Sequence, residues 1–162
     1  DDLRERVSTF ASLAAVKLRT QKSNCELIQV FIYTNRFRQD LPQYSGYKTV
    51  KLPFPTSSTF ELNKYAQMAL NSIYKEGFNY KKAGVILMGI SQDETQQLSM
   101  FEYENPKHKV LMNVLDKMNI KMGDKVKFGG QDLKRKWKMK QESLSPCYST
   151  NLKDIITINC KL

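Results

Sequence analysis

The chain has 162 residues, 41% of them hydrophobic, with 26 Lys and Arg against 16 Asp and Glu. That is enough apolar matter for one ordinary domain or two small ones, and the formal charge of +10 points to an anionic partner, either nucleic acid or an acidic membrane face. No run of about 18 apolar residues is present to span a bilayer, and no signal peptide opens the sequence. Three widely spaced cysteines and a single histidine argue against a structural zinc site. Cys25 and Cys160 lie beside apolar runs and read as reduced thiols of a cytoplasmic protein. The first residue is Asp1 rather than Met, so the sequence is expected to be a piece of a longer one.

The opening DDLRERVSTFASLAAVKLRTQ predicts a helix, with Leu3, Val7, Phe10, Leu13, Ala14 and Val16 to Leu18 as its apolar stripe and Ser23-Asn24 as its end. ELIQVFIYT (26–34) predicts a strand. Alternation puts Ile28, Val30 and Ile32 on its core face, and Gln29, Phe31 and Tyr33 on a mixed second face suited to something other than a helix. A loop with Arg36, Arg38 and Asp40 leads to a second strand, YKTVKLPFP, where Val50 and Leu52 alternate with Thr49 and Lys51. TSST then supplies an N-cap from Ser57, Ser58 or Thr59 for a helix running to about Glu76, with Gly77 as C-cap. A third strand follows at YKKAGVILMGI (80–90). The order α-β-β-α-β is one strand short of β-α-β-β-α-β, so the expected class is α+β, with two helices on one face of a sheet whose first strand would precede Asp1.

SQDETQQLSMFEYENP (91–106) is polar and acidic and reads as a linker. It nevertheless carries Leu98, Met100 and Phe101, which are either a short piece of core or bait for another protein. A helix then opens with Asn105 as N-cap and Pro106 at its first turn, carries the stripe Val110, Leu111, Val114, Leu115 and Met118, and ends at Gly123. Short strands are expected around 126–128 and 137–141, separated by Gly129-Gly130, and a last one at 154–160. This second, small α+β unit would rely on Trp137, Tyr148 and Phe128 for its core. The expected division is therefore 1–92, a linker at 93–104, and 105–162.

Catalytic signatures are scarce. No paired carboxylates stand at a strand end to hold two metal ions, Gly129-Gly130 lacks the Lys-Ser/Thr of a phosphate loop, and His108 sits between Lys107 and Lys109 on an exposed helical turn. The chain reads as noncatalytic. Binding chemistry is better represented. Arg36, Arg38, Lys48, Lys51, Lys81 and Lys82 all fall on or beside strands, and a sheet face left open by the helices can hold phosphates through such cations without reading bases. In the second basic run, LKRKWKMK (133–140), Trp137 either stacks a base or anchors the small unit, and the anchor is the favoured reading.

VFIYTNRF, then KTVKLPFPTSST, YKKAGVILMGISQ, QLSMF, LMNVLDKMN, KVKFGGQ and WKMKQESLSPCYSTNLKDI, in that order and spacing, resemble the C-terminal part of UmuC-type Y-family translesion DNA polymerases. The likeness covers nearly the whole chain. It departs at Asn151-Leu152, where such proteins tend to have Arg-Trp. The resemblance implies that residues 1–92 are a little finger laid along primer-template DNA, with Arg36, Arg38, Lys48, Lys51, Lys81 and Lys82 toward phosphates. It implies that QLSMF is similar to the family's sliding-clamp motif, with Leu98 and Phe101 entering an apolar cleft, Gln97 orienting the peptide and Met100 adapting to the wall. It also implies a cleaved UmuD dimer and RecA as partners, no membrane, a cytoplasmic location at the nucleoid, and Mg2+ held in a catalytic palm outside these residues. The competing reading is a standalone ferredoxin-like module that binds RNA or protein. An RNA-binding sheet would show paired aromatics on its central strands, and YKKAGVILM has none after its glycine.

Overall fold

A computed structural model of the chain describes residues 2–92, 105–123, 125–133, 145–147 and 151. Helix α1 (Asp2–Thr20) leads into strands β1 (Ser23–Thr34) and β2 (Ser45–Thr56), then helix α2 (Thr59–Ile73), strand β3 (Tyr80–Gln92) and helix α3 (Pro106–Met122). The class is α+β, as expected. The described strands form an antiparallel sheet of order β2-β1-β3, and α1 and α2 pack together on one side of it. Both β2 and β3 run antiparallel to β1, so they run parallel to each other with β1 between them. Parallel strands cannot be joined by a tight hairpin and need a crossover, which α2 provides. Among the described strands β1 is the central one.

Alternation along β1 decides which face is covered. Ile28, Val30 and Ile32 are fully buried beneath the helices, with Leu62, Ala66 and Leu70 of α2 above them. Against β2 the register shifts between Cys25 and Leu27, and this irregularity turns Cys25 into the core, where its thiol donates to the Thr56 carbonyl at 3.6 Å. Burial pushes that thiol up to about 12.

Several expected details differ. The buried side of α1 is Val7, Ser8, Ala11, Ser12, Ala15 and Leu18, while Phe10, Leu13 and Val16 face solvent. Small residues win this contest because they let α1 lie close to α2 and make room for a polar seam: Asn63 donates to Ser12 Oγ at 3.1 Å and Gln67 to Ser8 Oγ at 2.8 Å. Lys22 takes the left-handed conformation (φ 52°) and ends the helical course, so Ser23 and Asn24 already belong to β1. Ser58 occupies the N-cap of α2 without a side-chain cap bond, and its own N–H donates instead to Thr56 Oγ1 at 3.0 Å. α2 stops at Ile73 with Tyr74 as its C-cap, so Gly77 lies in the following turn.

α3 begins as the sequence predicts, with Asn105 Oδ1 accepting from Lys107 N–H at 3.0 Å, and ends at Gly123 in the left-handed conformation that glycine adopts without steric cost. Its inward side is different from the apolar stripe. Met112 is buried and His108, Leu115, Asp116 and Asn119 are half-buried, whereas Val110, Leu111, Val114 and Met118 are exposed. The cause is the docking of α3 through polar bonds. Arg19 of α1 donates from Nε and Nη2 to the two carboxylate oxygens of Asp116 (2.6 and 2.8 Å), and from Nη1 to the Ser57 carbonyl (2.7 Å) and Thr59 Oγ1 (3.1 Å). The segment 125–128 is not a strand. The Asn119 side chain holds Val126 by both backbone groups, at 2.9 and 3.0 Å. Phe128 packs edge-on against Phe60 of α2, with ring centroids 5.0 Å apart, and Asp132 N–H donates to Thr9 Oγ1 at 3.0 Å. Trp137, Tyr148, Cys160 and the strands expected at 137–141 and 154–160 lie outside the described residues.

Candidate nucleic-acid interface

Residues directly opposite one another in an antiparallel ladder point to the same face. The register therefore writes out the face that the helices leave uncovered. Across β1 and β2 it pairs Leu27 with Lys51, Gln29 with Thr49, Phe31 with Tyr47 and Tyr33 with Ser45. On the β3 side the same β1 residues meet Met88, Ile86, Gly84 and Lys82.

The six candidate cations do not form one patch. Lys51 and Lys82 share the open face and stand at diagonal corners, one on each outer strand and at opposite ends of β1. Lys48 is opposite Val30 and so belongs to the helix side of the ladder, although its edge position leaves it exposed. Lys81 falls at the irregularity between Tyr33 and Thr34 in the β1–β3 register and is exposed. Arg36 and Arg38 sit in the β1–β2 loop. Arg38 donates from Nε and Nη2 to both oxygens of Asp40 (2.8 and 2.6 Å) in an open ion pair. Beside the guanidinium, the Asp40 carboxyl is held below its ordinary value and Arg38 above its own. An anion must displace Asp40 to use Arg38, whereas Lys51 and Lys82 have no such carboxylate partner among the described residues.

The root of this loop is fixed by aromatics. Tyr44 O–H donates to the Ile73 carbonyl at 2.8 Å, Tyr44 packs on Phe78 and Tyr80, and the Tyr80 O–H donates to the Lys75 carbonyl at 2.8 Å. Burial raises the Tyr80 phenol above its ordinary value. These contacts hold the Tyr44 end of the loop beside the end of α2, and its outer residues 36–40 stay in solvent.

Between the two corner lysines the face is aromatic and apolar. Phe31 stacks on Tyr33 with ring centroids 5.1 Å apart and planes 23° apart. Tyr47 is 68% exposed and Ile86 43%. Gln29 donates to Thr49 Oγ1 at 3.0 Å and fixes the polar end of the row. The sequence marks Gln29, Phe31 and Tyr33 as a mixed face, but it gives no weight to Tyr47 or Ile86. Only the strand order brings those two beside Phe31 and Gln29. The clamp-motif residues Gln97, Leu98, Met100 and Phe101 lie outside the described residues. Among the described residues no group of three or more His, Cys, Asp or Glu stands close enough to hold a metal ion, and no helix is long and apolar enough to cross a membrane.

Residues 1–100 match the family model described as the impB/mucB/samB family C-terminal domain. The chain belongs to the impB/mucB/samB family. Residues 109–158 match a second model, described only as a domain of unknown function (DUF4113). Over 157 residues the chain is 35% identical to protein ImpB of Salmonella typhimurium, covering 96% of this chain and 37% of ImpB. It is 34% identical to protein UmuC of Salmonella typhimurium strain LT2 over 161 residues, covering 98% of this chain and 38% of UmuC. With protein MucB of Escherichia coli the identity is 35% over 156 residues, 95% of this chain and 37% of MucB. The family-level resemblance read from the sequence is thus correct, and the chain spans less than two fifths of the length of these relatives. The open sheet face and the loop with Arg36 and Arg38 both lie within the impB/mucB/samB match, and α3 largely within the second.

Proposed function

We propose that this impB/mucB/samB-family chain is the noncatalytic C-terminal region of an error-prone translesion DNA polymerase, acting in mutagenic repair of damaged DNA. Residues 1–92 serve as its little finger and hold primer-template DNA, and QLSMF (97–101) tethers it to the sliding clamp. The observation that carries the DNA part is the uncovered sheet face within the family match, bounded by Lys51 and Lys82. The three strands hold four lysines against one acid, Glu26, so the sheet as a whole attracts a polyanion. Arg36, and Arg38 once released from Asp40, extend the grip at the loop end. The cleaved UmuD dimer and RecA are the proposed further partners, in the cytoplasm, and the Mg2+ ions of nucleotide transfer belong to the polymerase's catalytic part rather than to these residues.

The test is anisotropy of labelled primer-template DNA with the 162-residue chain across a salt series. Binding should weaken as salt rises, with a log-log slope of about −0.9 for each phosphate neutralised. Lys51→Glu/Lys82→Glu should reduce affinity by tenfold or more, in keeping with two charge reversals at a phosphate-facing surface, while circular dichroism stays unchanged because both side chains are exposed. Salt-independent binding, or full affinity in the double variant, would refute the reading.

A further inference from the structure

The centre of the open face is aromatic and apolar rather than cationic. β1 is the central strand, and it carries Phe31 and Tyr33 two residues apart on the uncovered side, stacked at 5.1 Å. Tyr47 lies across from Phe31 on β2. On the other flank Phe31 faces Gly84, and a methyl group placed on that glycine would sit 2.3 Å from Phe31 Cζ. The ring therefore lies down over β3 through the space left by the missing side chain, which keeps it low on the sheet. An RNA-binding sheet displays just such an aromatic pair on its central strands. Chain order alone does not reveal this platform, because it does not show that β1 is central.

From this geometry we infer that the Phe31, Tyr33 and Tyr47 surface stacks the unpaired bases of single-stranded DNA, in addition to any hold on duplex phosphates. The inference rests on the DNA-binding reading above and specifies which form of DNA the middle of the face receives. Stacking needs accessible rings: Tyr47 is 68% exposed, and Phe31 and Tyr33 are half-buried beside it. A single strand also needs cations beside the rings for its backbone. Lys82 is opposite Tyr33, and Lys51 follows Tyr47 by four residues on the same face. No acidic residue shares these register positions. At the same end of β1, the loop presents Arg36 and Phe37, the latter 94% exposed, so the cationic and aromatic character continues past the sheet edge. Duplex DNA presents its bases edge-on in a groove and cannot lay them on a sheet; an unpaired strand can.

The experiment compares the 162-residue chain with Tyr47→Ala and Phe31→Leu variants on three ligands: a thymidine oligomer of about a dozen nucleotides, a length in the range that single-strand-binding sites occupy, an abasic oligomer of the same length and charge, and a duplex. The thymidine oligomer should bind at least about fivefold more tightly than the abasic one, as expected for even one stacked base. Tyr47→Ala should lose at least about fivefold on the thymidine oligomer and change duplex binding less than about twofold. Phe31→Leu should act in the same direction. Equal binding of the thymidine and abasic oligomers, or wild-type single-strand affinity in both variants, overturns the stacking platform. If reversal of Lys51 and Lys82 still weakens the duplex in that case, the DNA-binding reading survives without the platform. If the folded chain binds neither single-stranded nor duplex DNA, both fall together.

Discussion

Cys25 shows how one irregular register position changes the chemistry of a side chain. The shift against β2 puts the thiol in the core, where burial raises its ionisation to about 12 from the ordinary 9.0. Folding then favours the protonated form. Its contribution is complete below the unfolded-state value near 9 and is lost as pH rises from there toward 12. Denaturant melts between pH 8 and 11 should show stability falling, and Cys25→Ala should make that slope shallower. In the native protein at pH 8, a thiol reagent should modify exposed Cys147 and spare Cys25 until denaturant is added. Asp40 gives a second residue-scale prediction. It occupies Arg38 through two short hydrogen bonds. Asp40→Asn removes a negative charge and frees the guanidinium, and should raise DNA affinity about two- to fivefold at low salt, with the gain shrinking as salt rises. Unchanged affinity in the same anisotropy assay would mean that the loop does not reach the DNA.

At the scale of elements, the sequence is most legible where periodicity and burial coincide. Ile28, Val30 and Ile32 are the core face of β1 as alternation predicts, and Asn105, Pro106 and Gly123 bracket α3 because capping is local chemistry. Amphipathic stripes are less reliable here. Phe10, Leu13 and Val16 look like the core side of α1, yet Ala11, Ala15, Ser8 and Ser12 take that place, since close packing of two helices favours small side chains and a polar seam. The open face is legible only in part. Alternation identifies Gln29, Phe31 and Tyr33, but which strand pairs with which is a nonlocal fact, and so is the space that Gly84 leaves for Phe31. The docking of α3 is likewise invisible in sequence, because Arg19 and Asp116 are 97 residues apart. Arg19→Ala removes four hydrogen bonds from a half-buried node and should cost about 1.5–3 kcal/mol. Hydrogen exchange should localise the loss to α3 and the start of α2, leaving the β1 amides protected. Uniform loss across the sheet would mean that the node supports the whole fold rather than the docking of one helix.

For the molecule as a whole, the proposed function assigns the sheet to DNA and the acidic segment between β3 and α3 to the clamp. The two can be separated experimentally. Leu98→Ala/Phe101→Ala should abolish capture by an immobilised bacterial sliding clamp, with an effect of at least tenfold for loss of two pocket-filling side chains, and leave primer-template binding within about twofold of wild type. Loss of both activities in one variant would mean that the segment contributes to the fold or to the DNA surface.

The four bonds of Arg19 have one more consequence. They fasten α3 to α1 and to the start of α2, while β3 is fastened to β1 along its ladder. Gln92 and Asn105, the residues on either side of the twelve-residue stretch 93–104, therefore both belong to elements fixed to the body of the fold. A chain of that length spans at most roughly 40 Å when fully drawn out, and with both ends fixed its middle reaches only about half that from the body of the protein. On the proposed function, a partner that seizes Leu98 and Phe101 would hold the protein between two fixed points rather than by a free end. If Asp116 lets go of Arg19, α3 keeps its buried Met112 and the His108–Phe60 ring contact, but its hold on the body of the fold, and so that of Asn105, is loosened. On the proposed function, the Arg19–Asp116 ion pair would then help to set how widely the protein can swing while a clamp holds it.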